Sequence, residues 1–108
     1  MARWTVELVE AAERELKALP ADLQARFLHV GEMLEELGPQ QIGLPLVRPL
    51  ERKLWEMRLR GRDGIARAIY FAAAGRRLMV VRIFVKKTQT TPRQEIELAL
   101  RRMAEVER

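Results

Sequence analysis

The sequence predicts an α+β fold, a small antiparallel sheet packed by helices, in the order strand, helix, helix, three-stranded meander, helix. Three observations predict it. Apolar residues recur at helical spacing up to Leu37, switch to a period of two between Leu54 and Val85, and return to helical spacing after Pro92. Glycine and proline fall where the period changes. A chain of 108 residues, 48% hydrophobic, has enough apolar side chain for one core and too little for two, so residues 1–108 read as a single domain.

Val6 and Leu8 alternate with Thr5 and Glu7, which suits a first strand from Trp4 to Leu8. Val9, Ala12, Leu16 and Leu19 continue as one helix, interrupted at Pro20. Leu23, Phe27, Val30, Leu34 and Leu37 make a second, closed by Gly38-Pro39. Residues 39 to 50, with Pro39, Gly43, Pro45 and Pro49, read as a loop. In the first meander strand Trp55, Met57 and Leu59 face one way, and Glu56, Arg58 and Arg60 the other. Gly61-Arg62-Asp63-Gly64 turns into Ile65 to Ala72, and Ala74-Gly75-Arg76 turns into Leu78 to Val85. On that last strand the alternation puts Met79, Val81, Ile83 and Val85 on one apolar face, and Arg82 and Lys86 on the other with Leu78, Val80 and Phe84. Thr91-Pro92-Arg93-Gln94 reads as a capping box with Thr91 as N-cap. Ile96, Ala99, Leu100, Met103 and Val106 then form the apolar side of a closing helix.

Composition narrows the chemistry. No apolar run approaches the ~20 residues of a membrane span, and the start of the chain lacks the pattern of a secretory signal, so the expected location is the cytoplasm. There is no cysteine, and His29 is the only histidine, which excludes thiolate chemistry and a structural zinc site; His29 itself reads as structural or simply exposed. There is no serine for a triad, no glycine loop for phosphate and no carboxylate cluster for magnesium, so no metal or cofactor is expected.

Charge is distributed unevenly. Residues 1 to 47 hold 4 basic and 8 acidic side chains, whereas residues 52 to 87 hold 11 basic ones against only Glu56 and Asp63. Such a block attracts a polyanion. Arg58, Arg60, Arg67, Arg82 and Lys86 come from three adjacent strands, and like charges there repel unless an anion relieves them. Arg67 shares its parity with Ile65, Ile69 and Phe71, so a twist or bulge is expected to align it with the others. The chain has 16 Arg and only 4 Lys, two of them adjacent at Lys86-Lys87. An ammonium among guanidinium groups gives up its proton more readily, which suits Lys86 to proton transfer. Tyr70, the one tyrosine, either stacks on a base or belongs to the core. RNA carries its own nucleophile, the 2′-hydroxyl, so a cationic cluster of this kind can cleave it without metal.

The segments Leu54-Trp55-Glu56-Met57-Arg58, Arg67-Ala68-Ile69-Tyr70-Phe71 and Ile83-Phe84-Val85-Lys86-Lys87-Thr88-Gln89-Thr90-Thr91-Pro92, followed by Ile96 and Ala99, resemble the phage-related HigB-like branch of the RelE/ParE toxin superfamily. The Lys-Lys-Thr-x-x-Thr-Pro stretch is the most specific part. The resemblance implies a type II toxin that cleaves messenger RNA on the ribosome, is neutralised by a helix-turn-helix antitoxin, and meets DNA only through that complex. It implies Arg67 as the phosphate-stabilising residue and Lys86 or Lys87 as the catalytic base or acid, with Arg58, Arg60, Arg82 and Tyr70 holding RNA. Two other readings stay open: a non-catalytic inhibitor of DNA gyrase, as in the ParE branch, and an RNA-binding adaptor.

Overall fold

A computed structural model describes residues 3–43, 45–86 and 89–108. The chain runs β1 (Thr5–Leu8), α1 (Glu10–Lys17), α2 (Ala21–Leu37), a 3-10 turn (Pro39–Gln41), β2 (Val47–Pro49), β3 (Trp55–Arg60), β4 (Ile65–Ala73), β5 (Arg77–Lys86) and α3 (Arg93–Glu107). The expected meander is present as β3, β4 and β5, but it is the centre of a five-stranded mixed sheet of order β1-β5-β4-β3-β2. β1 lies parallel to β5, and all other pairs are antiparallel. β2 falls inside the segment read as a loop. It has only three residues and ends on a proline, which an edge strand tolerates and a sequence pattern does not reveal.

Helices cover both faces. α1 and α2 bury Ala12, Leu23, Phe27, Val30 and Leu34 against Met57, Leu59, Ala66, Ala68, Tyr70, Val80 and Ile83. α3 buries Ala99 and Met103 against Leu54, Ile69, Phe71, Met79, Val81 and Phe84. The break between α1 and α2 comes where Pro20 was expected to interrupt, and the Pro20 carbonyl accepts the N–H groups of Leu23 and Gln24 at 3.0 and 3.1 Å. Gly38, at a φ of 84°, ends α2. Trp55 points to the α1/α2 face as expected but lies beyond the helices and is 39% exposed; Leu37 is also exposed.

The apolar face expected on β5 is not continuous. Ile69 pairs with Arg82 but Tyr70 with Val80, so Val81 is an extra residue and the strand bulges there. One inserted residue inverts the parity beyond it. Met79 and Val81 therefore face α3 while Ile83 faces α1 and α2, and Val85 is exposed. Leu78 and Val80, in turn, leave the face that Arg82, Phe84 and Lys86 share.

Thr91 does not cap α3. The N-cap is Pro92, whose side chain can make no capping bond, and the Thr91 hydroxyl instead donates to Glu56 and accepts from Arg48 Nη2 at 3.3 Å. No helix among the described residues is long and apolar enough to cross a membrane.

The β3–β4 turn is pinned to the start of α2. Asp22 Oδ2 accepts the Arg62 N–H at 2.6 Å, and a Cβ at Gly61 would stand 2.7 Å from that oxygen and 2.9 Å from Leu23 Cγ. Gly61→Ala is therefore expected to cost about 1–3 kcal/mol, the usual range for overpacking. Gly64→Ala, in open space, should stay within about 0.5 kcal/mol of the parent. Urea midpoints of the two variants check this, and equal midpoints would refute the close approach.

Candidate active site

Directly opposed residues on neighbouring strands share a face, so the register assembles the site row by row. Arg48, Glu56, Ile69 and Arg82 form one row, Arg58, Arg67 and Phe84 the next, and Arg60, Ile65 and Lys86 the last. Arg58, Arg60, Arg67, Arg82 and Lys86 thus lie on one face. The irregularity expected for Arg67 occurs in β5 at Val81, not in β4.

At the centre is a residue that charge counting passed over. Glu56 is fully buried and accepts from Arg67 Nη1 at 2.5 Å, from Arg48 Nε at 2.9 Å and from the Thr91 hydroxyl. Burial alone would raise its carboxyl, but the Thr91 hydrogen bond and the charges of Arg67 and Arg48 outweigh that and hold it below the ordinary value. Arg67 is 3% exposed, and burial lowers its pKa against the opposing pull of Glu56. Its Nε has no hydrogen-bond partner among the described residues. The clue to Glu56 in the sequence was its position, a lone carboxylate alternating with Arg58 and Arg60.

Lys86 is 7% exposed, with Nζ donating to the Gln89 carbonyl at 2.7 Å. Burial, followed by the Arg67 charge, pushes its ammonium down to about 8, with Arg48 and Arg58 adding to the shift and Glu56 opposing it. Such a group exchanges a proton near neutral pH, which free lysine does not.

Two expected RNA contacts are otherwise engaged. Tyr70 is 1% exposed on the opposite face of the sheet, packed toward α1 and α2, so it cannot stack on a base at the cationic face; alternation after Ile69 turns it inward. Arg82 is held by carboxylates: Nε and Nη2 donate to Glu95 at 2.6 and 3.1 Å, and Nη1 donates to Glu15 at 2.6 Å. It anchors α1 and α3 to β5 and has no charge to spare. Lys87 lies outside the described residues. His29 is exposed, and the described residues hold no cluster able to bind a metal ion. What remains is an arrangement of cations that can bind an anion through Arg58 and Arg60 and move a proton through Lys86.

A family profile described as Phage derived protein Gp49-like matches residues 14–104. No curated protein sequence matches the chain. Among solved structures, RelE in the archaeal RelE–RelB complex from Pyrococcus horikoshii OT3 is 23% identical, with a TM-score of 0.58 over 82% of this chain and 100% of that one. A double arginine-to-alanine mutant of the E. coli toxin RelE in the free state is 14% identical, with a TM-score of 0.66 over 94% of this chain and 98% of that one. At these identities the likeness establishes the fold.

Removing the Glu56 charge leaves Arg67 buried without a counterion. Glu56→Gln should lower the unfolding free energy by about 3–5 kcal/mol, whereas the double variant Glu56→Leu/Arg67→Met should recover most of that loss. Urea denaturation of the three proteins measures it. Strictly additive losses would mean that the pair is not coupled.

Proposed function

The chain belongs to the phage derived Gp49-like family and has the RelE fold, and on that premise we propose that it is the toxin of a type II toxin–antitoxin pair, an endoribonuclease acting on messenger RNA at the ribosome. In this reading residues 1–108 form one toxin domain, the site of action is the cytoplasm, and the partner is an antitoxin, by analogy with the RelB bound to archaeal RelE. The observation that carries the reading is Lys86, its ammonium pushed down to about 8, on the same sheet face as Arg67, Arg58 and Arg60.

The chemistry follows from that grouping. Neutral Lys86 takes the proton of the RNA 2′-hydroxyl, and the freed oxygen attacks the adjacent phosphorus. The P–O bond to the 5′-oxygen breaks, leaving a 2′,3′-cyclic phosphate. The leaving oxygen takes a proton from water or from Lys87, which neighbours Lys86 in sequence. Negative charge grows on the phosphoryl oxygens during attack, and half-buried Arg58, directly opposite Arg67, is placed to meet it. Arg67 acts from beneath, through a medium of low dielectric, and its charge also keeps the Lys86 proton loosely held. No metal enters these steps.

Lys86 is the expected base, so the active form is the neutral amine, and its fraction grows as pH rises through about 8. The single-turnover cleavage rate on saturated ribosomes should climb with pH and level off above that value. Lys86→Met should lose the climb and lower the plateau by about 10²–10⁴-fold. A rate that does not change with pH across that window would remove Lys86 from the role of base. Intact transcripts, together with loss of DNA supercoiling in induced cells, would overturn the nuclease reading in favour of a gyrase inhibitor.

A further inference from the structure

Many of the arginines on this protein have a carboxylate partner. Arg14 has Glu10, Arg48 and Arg67 share Glu56, Arg82 bridges Glu15 and Glu95, Arg93 meets Glu51, and Arg102 meets Glu15. Arg26, Arg58 and Arg60 have none among the described residues, yet all three line one cleft of about 200 Å³. Its remaining wall is Pro45, Leu46 and Ile65.

The cleft has a definite origin. β2 ends its pairing with β3 at Val47 opposite Met57, so Arg58, Leu59 and Arg60 run on past their neighbour, with only the Arg58 N–H donating to the Leu46 carbonyl at 2.7 Å. α2 closes the gap from the other side. Asp22 is tied to the β3–β4 turn through Arg62, and Arg26, four residues on, lies on the same helix face one turn later. Proton chemistry is close by: Ile65 is paired with Lys86, and Arg58 with Arg67.

From this arrangement we infer that Arg26, Arg58 and Arg60 with Pro45, Leu46 and Ile65 form a nucleotide subsite, seating the residue of single-stranded RNA next to the cleavage point, with phosphate on the arginines and base against the apolar wall. The inference rests on the nuclease reading and adds to it a substrate position and a residue, Arg26, from outside the sheet. A bare phosphate would gain nothing from the apolar wall, and an apolar peptide nothing from three unneutralised guanidinium groups. The volume also suits a ring, since an apolar cavity of ~150 Å³ takes one the size of benzene. Apolar side chains commonly hold an unstacked base in this way.

The test is binding of a fluorescently labelled short single-stranded RNA to the whole chain, followed by anisotropy over a range of salt. Arg26→Ala should weaken binding about tenfold and flatten the log–log salt dependence by about 0.7, the value for one phosphate contact on a single strand. Arg26→Lys should restore most of the affinity. Arg101→Ala, on the exposed side of α3, should change neither quantity, and all three variants should keep the parent urea midpoint because both positions are exposed. An abasic strand of equal length should bind more weakly than the RNA by at least threefold. Unchanged affinity in Arg26→Ala, or equal binding of abasic and normal strands, overturns the subsite. The measurement needs no cleavage, so a chain that binds RNA through Arg26 yet cuts nothing overturns the nuclease reading while supporting the subsite.

Discussion

Lys86 reaches the face of Arg67 because β5 carries one residue more than β4 opposite it. Without the extra residue at Val81, the alternation of β5 would turn Phe84 and Lys86 toward α1 and α2, away from Arg67. A bulge leaves backbone groups without ladder partners, and here side chains take them up. Glu15 from α1 accepts the Ile83 N–H at 3.0 Å, and Arg102 from α3 donates to the Val81 carbonyl at 2.9 Å. Arg82 sits between them, bound to both Glu15 and Glu95. The same four charged residues therefore hold the bulge in place and tie the two helical layers together across the sheet.

Glu56 solves a different problem. Arg58 and Arg67 stand directly opposite one another, with Arg48 and Lys86 close enough to be felt, and packing so many like charges into half-buried space is unfavourable. A single carboxylate under the cluster offsets part of the repulsion and accepts hydrogen bonds from two guanidinium groups and a hydroxyl. It does not offset all of it. Burial, with the surplus charge added to it, keeps the Lys86 ammonium only loosely protonated, while half-buried Arg58 and exposed Arg60 have no carboxylate partner among the described residues. Several arginines are neutralised by carboxylates and tie the elements together, whereas Arg26, Arg58 and Arg60, with no carboxylate partner among the described residues, gather around one cleft.

Much of the architecture was legible from periodicity, because helices and strands that bury one face must repeat their apolar residues at that spacing. The two N-terminal helices, the meander, its two turns and the closing helix all follow from it. The gathering of Arg58, Arg60, Arg67, Arg82 and Lys86 on one face was legible too, although the strand carrying the irregularity was not. Tyr70 was left undecided between base and core, and alternation after Ile69 settles it as core. Thr91 matched a capping pattern, but the helix starts one residue later, and the hydroxyl donates to Glu56 while its oxygen accepts from Arg48 Nη2 at 3.3 Å.

The sequence by itself determined what depends on near neighbours along the chain: element type and order, the position of the turns, the excess of cations in the second half and the absence of cysteine. The tertiary structure alone decided what depends on contacts between distant segments. The pairing of β1 with β5, the bulge at Val81, the choice of Glu56 as counterion for Arg67 and Arg48, the capture of Arg82 by Glu15 and Glu95, and the approach of Arg26 to Arg58 and Arg60 all join residues from different elements. Local spacing carries no information about which charge will meet which, because that choice is made by the energy of burying each group in the finished packing.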